Sequence, residues 1–194
     1  MAFTINDFQS RISSGVRPNL FKVTINPPTA ASVIKTTQTD ALTYLCKSAA
    51  LPASNMGTIE VPFRGRNLKI PGDRTFAAWS ATFFNDSKFE ARTFFESWMN
   101  VVNKMDSNVG QTDPIQIFTD ITVDQLSKTA PATGGTTSTA DLPVIRTYKL
   151  FGAWPSAVSQ ISLGFDTNNS IEEFTVDFQY QYFNITGGTS PDIK

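Results

Sequence analysis

Near the end of the chain, apolar and polar residues alternate without a break. Phe174, Val176, Phe178, Tyr180 and Tyr182 hold the even positions; Glu173, Thr175, Asp177, Gln179 and Gln181 hold the odd ones. A period of two places successive side chains on opposite sides of a strand, so 170–183 reads as one strand with a greasy face and a wet one. The even face belongs in a core, and the odd face must look elsewhere. Further extended segments are 19–25 (NLFKVTI, stopped by Pro27 and Pro28), 41–51, 77–84, 114–126 and 143–154. In 114–126 the inward set is Ile115, Ile117, Ile121 and Val123, and this segment and 143–154 are expected to form a long hairpin. Its tip, 127–141, is small, polar and glycine-rich, and is expected to be flexible. In 161–165 the expected inward set is Ile161, Leu163 and Phe165, with turn chemistry following in 166–170. The stretch 26–41 is polar and reads as a loop or a ragged hairpin tip.

The period changes once over a long span. Ser87 with Glu90 three residues later fits a capping box, and Phe94, Trp98, Val101, Val102 and Met105 then fall on one helical stripe with Phe95 beside it. A short helix is expected at the start, where Ile5, Phe8 and Ile12 share a face between Asn6 as cap and Gly15 as stop. Many strands and one main helix make the chain all-β, a sandwich or barrel with a helix packed outside. No repeat or second domain is evident, so 1–194 reads as a single domain with a core over 17–183 and a tail, 184–194, that has no core to join.

Composition narrows the chemistry. The chain has 194 residues, a formal charge of −1, no histidine and one cysteine, Cys46. The commonest general base and metal ligand is therefore missing, and a cysteine cluster or internal disulfide is excluded. No cofactor or metal is expected. No run of about 18 apolar residues suggests a membrane span, and the opening residues lack the pattern of a secretory signal. Glu172, Glu173 and Asp177 are close in sequence, but Glu173 and Asp177 on one strand face would stand roughly 13 Å apart at ~3.3 Å per residue, too far for paired-carboxylate hydrolysis. A solvated strand face explains them better. The Asp73–Arg74 pair in PGDRTF reads as a turn held by charge, and Arg64, Arg66, Lys69 and Arg74 as a surface strip rather than a phosphate site. Trp79 and Trp98 read as core anchors, while Trp154 could serve as core or as a stacking platform.

Segment 52–76 is less ordinary. It is punctuated by Pro52, Gly57, Pro62, Gly65, Pro71 and Gly72, yet carries Ile59, Val61, Phe63, Leu68, Ile70 and Phe76. Long connections are functional or disordered, and this one is too apolar for a disordered linker. It needs a surface to lie on, and another copy of the chain would supply one.

The blocks RPNLF (17–21), CKSAALP (46–52), GRNLKIPGDRTFAAWSATFFND (65–86), GAWP (152–155) and DTNNSIEEFTVDFQYQY (166–182) together resemble the tail tube proteins of T-even-type contractile-tailed bacteriophages. The resemblance runs in order from Arg17 to Tyr182; the stretches 26–41 and 127–141 depart from the pattern and look like insertions. It implies a structural virion protein and no enzyme: a β-sandwich forming hexameric rings, with inner strands joined between subunits into one continuous barrel, stacked into a tube through which DNA passes. The implied partners are further copies of the chain, a sheath, baseplate and tube-terminator proteins, and a tape-measure protein in the lumen, with assembly in the host cytoplasm. On that reading 52–76 is an inter-subunit arm, with Ile59, Val61, Phe63, Arg64, Arg66, Lys69, Asp73 and Arg74 at inter-subunit or inter-ring contacts. The odd residues Glu173, Thr175, Asp177, Gln179 and Gln181 become the candidate channel wall. The alternatives are a tube protein of a contractile injection or type VI-like secretion system and, further off, a carbohydrate-binding sandwich.

Overall fold

The computed structural model describes residues 4–12, 15–30, 36–128 and 142–187. In chain order the elements are α1 (Ile5–Ile12), β1 (Phe21–Ile25), α2 (Thr36–Leu45), β2 (Cys46–Ala49), β3 (Ser54–Phe63), β4 (Arg66–Phe76), β5 (Trp79–Phe84), α3 (Glu90–Val102), α4 (Pro114–Ile117), β6 (Thr119–Leu126), β7 (Val144–Val158), β8 (Glu173–Gln179) and β9 (Tyr182–Thr186). Apart from a β3–β4 ribbon, the strands form one antiparallel sheet in the order β1-β6-β7-β8-β5-β2, with β9 also on β7.

That sheet folds into two layers because β7 and the β8–β9 run bend together. Residues 147–151 of β7 pair with β9, and 154–158 pair with β8 along the same edge. At the bend Gly152 has φ +61, a conformation that suits a residue without a side chain. Tyr180 and Gln181 lie opposite it, between β8 and β9. Crossing the bend changes the pleat phase. Phe174, Val176, Phe178 and Tyr180 are buried, but Tyr182 is half exposed and stacks on Phe151 (4.8 Å, 14°), while Phe183 turns toward the core. The uninterrupted strand expected over 170–183 is therefore two strands, and Tyr182 faces out. Residues 184–186 belong to β9 rather than to a tail.

Between the layers lies an aromatic core. Phe83, Phe94, Phe95, Trp98, Phe174 and Phe178 are fully buried, with Phe83–Phe95 at 5.0 Å and Trp79–Phe178 at 5.4 Å between ring centroids. Burying such a side chain contributes about 1.5–3 kcal/mol, which fixes the strand register, because a one-residue slip would bury Asp177 and expose Phe178. The helix expected over 87–105 is α3, with Ala91, Phe94, Phe95 and Trp98 inside; Met105 lies beyond its end and is exposed.

Its cap differs from the expected one. Phe89, at φ 56, occupies the N-cap position with no side-chain cap, while the Asp86 carboxylate accepts from the backbone N–H of Lys88 (3.0 Å) and Glu90 (2.9 Å). Ser87 takes no part in these bonds. Asp86→Ala is therefore expected to cost about 1 kcal/mol and Ser87→Ala close to nothing, as read by urea denaturation midpoints.

Other expectations need correction. Residues 36–45, the end of the polar stretch and the start of 41–51, form α2, which buries Leu42 and packs on β1 and α3, while 31–35 lie outside the described residues; tertiary contact overrides a threonine-rich sequence of weak helix propensity. Residues 114–117 are a helical turn capped by Asp113, leaving Ile115 exposed, although Ile121 and Val123 are buried as expected. The 114–126/143–154 hairpin is present as β6 on β7. Residues 161–165 form no strand, and Leu163 and Phe165 are exposed. The helix at the start is present, but Thr4 rather than Asn6 bonds the Asp7 N–H (3.3 Å), and Ile5, Phe8 and Ile12 are all exposed. Most of the 127–141 tip, and 188–194 of the expected tail, lie outside the described residues.

Candidate assembly and channel surfaces

Two surfaces bear on assembly, one polar, the other apolar and projecting.

The polar surface is the outer face of the four-stranded half-sheet β2-β5-β8-β7. Register puts Glu173 beside Phe84, Thr175 beside Thr82, and Asp177 between Ser80 and Ala157. Helix α3 packs its aromatic stripe against Phe83, Phe174 and Phe178 on the opposite face, so the odd residues look away from the helix. The side chains of Glu173, Thr175 and Asp177 are each held from a neighbouring strand. Lys47 Nζ donates to both Glu173 carboxylate oxygens (2.5 and 2.6 Å) while sitting 5.7 Å above the Phe84 ring. Ser80 Oγ donates to Asp177 Oδ1 (2.5 Å), and the Thr82 and Thr175 hydroxyls bond each other (3.1 Å). Gln179 and Gln181 are exposed, and the Gln181 N–H bonds the Phe151 carbonyl (3.0 Å) at the bend. Trp154, undecided from the sequence, is paired with Gln179.

The edges of this half-sheet bear on what it can do. Among the described residues, β2 pairs with β5 alone, and residues 154–158 of β7 pair with β8 alone. Because each step across β2-β5-β8-β7 is antiparallel, β2 and β7 run in opposite directions. A second copy's β2 laid along residues 154–158 therefore continues the antiparallel pattern.

The apolar surface is the β3–β4 ribbon, a regular hairpin where the sequence suggested an irregular arm. A two-residue Arg64–Gly65 turn closes it, with φ of 47 and 83, the positive values a tight hairpin turn needs. Cross-strand pairs share a face, so Ile59 with Ile70 and Val61 with Leu68 form one apolar side, which Phe63 and Arg66 extend. The other side carries Glu60 and Lys69, ion-paired at 3.6 Å, and Asn67, which donates to Glu60 (2.9 Å). Ile59, Val61, Phe63, Leu68 and Ile70 are all exposed. Gly57 faces Gly72 and Asp73 at a bulge, so PGDRTF is not a turn but part of β4. The basic residues do not form one strip. Arg64 stacks over Phe63 in the turn (5.4 Å), Arg66 extends the apolar side, Lys69 lies on the polar side, and Arg74 lies beyond the bulge opposite Met56. The ribbon is rooted by Phe76, which packs on Tyr180 (5.8 Å) and Phe183 (5.6 Å).

No catalytic arrangement accompanies these surfaces. Glu173 and Asp177 bind separate donors, and Glu172 accepts from Asn85 Nδ2 (2.8 Å). Burial pushes the Cys46 thiol up to about 12, so it stays protonated and is no nucleophile at neutral pH. Among the described residues no group of histidine, cysteine and carboxylate side chains could hold a metal ion. Trp79 and Trp98 are core anchors, donating to the Ala50 carbonyl (2.6 Å) and the Ile117 carbonyl (2.9 Å). No helix among the described residues is long and apolar enough to cross a membrane.

The sequence missed the partner of Glu173. Lys47 lies 126 residues away, and nothing local to either position signals the contact. The ribbon was more accessible: odd positions 59–63 and even positions 66–70 alternate on either side of Arg64–Gly65, a pattern hidden by the prolines.

Residues 16–186 match the family described as phage tail tube protein. The tail tube protein of Serratia phage KSP90 is 31% identical over 180 residues, covering 91% of this chain and 94% of that one. Tail tube protein gp19 of Enterobacteria phage T4 is 28% identical over 181 residues, covering 92% and 98%. Among solved structures, a chain of the anti-feeding prophage tube-terminating cap superposes with a TM-score of 0.60 at 16% identity, over 97% of this chain and 95% of that one. A chain of the anti-feeding prophage baseplate gives 0.58 at 13% identity, over 92% and 99%. At those identities the structural likeness is one of fold.

Proposed function

The chain belongs to the phage tail tube protein family, and from that membership we propose that it assembles into stacked hexameric rings forming the tube through which phage DNA leaves the particle. It is a structural component of the virion tail and no enzyme, as its named relatives are tail tube proteins.

One observation carries the ring: the half-sheet has unpaired, oppositely directed edges at β2 and at residues 154–158 of β7. Joining one edge to the other in the next copy is a head-to-tail contact, which closes into a ring when the rotation permits. Closure also removes the strand edges that would otherwise template aggregation. The helix layer stays outside, and the face of Glu173, Thr175, Asp177 and Gln179 turns to the channel, with Gln181 at its end. The ribbon reaches out of the ring, and its Ile59–Val61–Phe63 side packs on a neighbouring copy. Sheath, baseplate and terminator proteins are the outer and end partners, a tape-measure protein occupies the lumen during assembly in the host cytoplasm, and DNA passes without sequence-specific binding.

The injection-system alternative is less well supported, because relatives at 28–31% identity are phage tail tube proteins and the injection-system chains share 13–16% and the fold. Hydrogen exchange on the assembled and dissociated chain tests the edge contact. Assembly should protect edge-facing amides in 46–49 and, apart from Pro155, in 154–158 together. Protection of neither segment in a formed ring would rule this junction out.

A further inference from the structure

Within that channel assignment, on which this inference rests, we propose that Glu173 keeps Lys47 from gripping DNA phosphate. Among the described residues of β2, β5, β8 and the 154–158 part of β7, the one cation is Lys47, against the carboxylates Glu173 and Asp177; Lys149, farther along β7 past the bend, is paired with Asp120 (2.9 Å). Glu173 and Asp177 alone would make this face acidic, and Lys47 offsets one of the two charges.

The masking is geometric. Lys47 Nζ lies within hydrogen-bond distance of both oxygens of Glu173, so its charge is turned onto a carboxylate. Its position over Phe84 holds the ammonium at this end of the strand. Asp177 cannot take over. It is engaged with Ser80, and four residues along the strand place it roughly 13 Å from Glu173. A lysine released from Glu173 would meet passing duplex as a bare cation, and each phosphate it contacts releases counterions and adds affinity at low salt. Repeated around a ring and along a stack, such contacts would brake a moving duplex. Glu173 is thus a positioning residue acting through Lys47, and the partner it guards against is a polyanion. The pair is exposed, at 44% and 37% for the two side chains, so it contributes little to folding and can be altered without unfolding the chain.

The test titrates a short fluorescent DNA duplex with the purified full chain, as parent, Glu173→Gln, Asp177→Asn and the double variant Lys47→Ala/Glu173→Gln, with sedimentation and circular dichroism on the same samples. Glu173→Gln is expected to bind about tenfold more tightly than the parent at low salt, with the gain fading as salt rises. Asp177→Asn changes the net charge equally but frees no lysine, and should stay near the parent. The double variant should return to the parent value. Equal gains for Glu173→Gln and Asp177→Asn, or a gain that survives loss of Lys47, would overturn masking. So would a folded Glu173→Gln chain that binds no better than the parent. If the parent sediments without forming rings, the channel assignment itself fails, whatever the DNA titration shows.

Discussion

Replacing Val61 with glutamate and Leu68 with lysine is expected to leave a folded chain that no longer forms tubes. These residues are directly paired on the apolar side of the ribbon, 42% and 61% exposed in the isolated subunit. Opposite charges at a cross-strand pair are compatible with the hairpin, and an exposed substitution shifts stability by about 0.5 kcal/mol or less. In the proposed assembly the same two positions are buried against another copy. Losing the apolar area that these two side chains still expose costs about 1.5–3 kcal/mol per contact, or one to two decades in association constant, before the added cost of desolvating charge. Analytical ultracentrifugation should find monomer at concentrations where the parent sediments as rings or tubes, with an unchanged melting curve. Deleting 56–68 should act likewise on assembly. Normal assembly of either variant would mean that the ribbon is not an inter-subunit arm.

Phe178→Ala is expected to have the opposite profile, failing before assembly begins. Phe178 is fully buried and touches three other aromatic rings: Trp79 at 5.4 Å, Phe95 at 5.8 Å and Trp98 at 6.3 Å. It joins β8, β5 and α3, so truncation leaves a cavity that no one element can close. Such substitutions cost about 3–5 kcal/mol, a large share of the roughly 5–15 kcal/mol that holds a domain of this kind together. A fall in urea midpoint with unchanged slope should record it. A loss below about 1 kcal/mol would mean the cluster is packed more loosely than these distances indicate.

The core was legible in the sequence because burial imposes periodicity. Phe174, Val176 and Phe178, and the α3 stripe of Phe94, Phe95 and Trp98, followed from spacing alone. What failed depended on contacts between distant segments. The α2 helix forms because Leu42 has β1 and α3 to pack on, which a threonine-rich window does not announce. Tyr182 was misplaced because the phase shift at Tyr180–Gln181 is set by the paired bend at Gly152 in another strand. Leu163 and Phe165 keep an apolar spacing but have no strand to join. The wet face was visible as a face, whereas its charge balance was not, since Lys47 reaches Glu173 across 126 residues.

A cryo-electron microscopy reconstruction of the assembled chain tests the central claim most directly. The expected result is a tube of stacked rings in which β2 of one copy pairs with residues 154–158 of the next, and in which Glu173, Thr175, Asp177 and Gln179 line the lumen with α3 outside. A tube with those four side chains turned toward the sheath, or a ring joined through other edges, would contradict it.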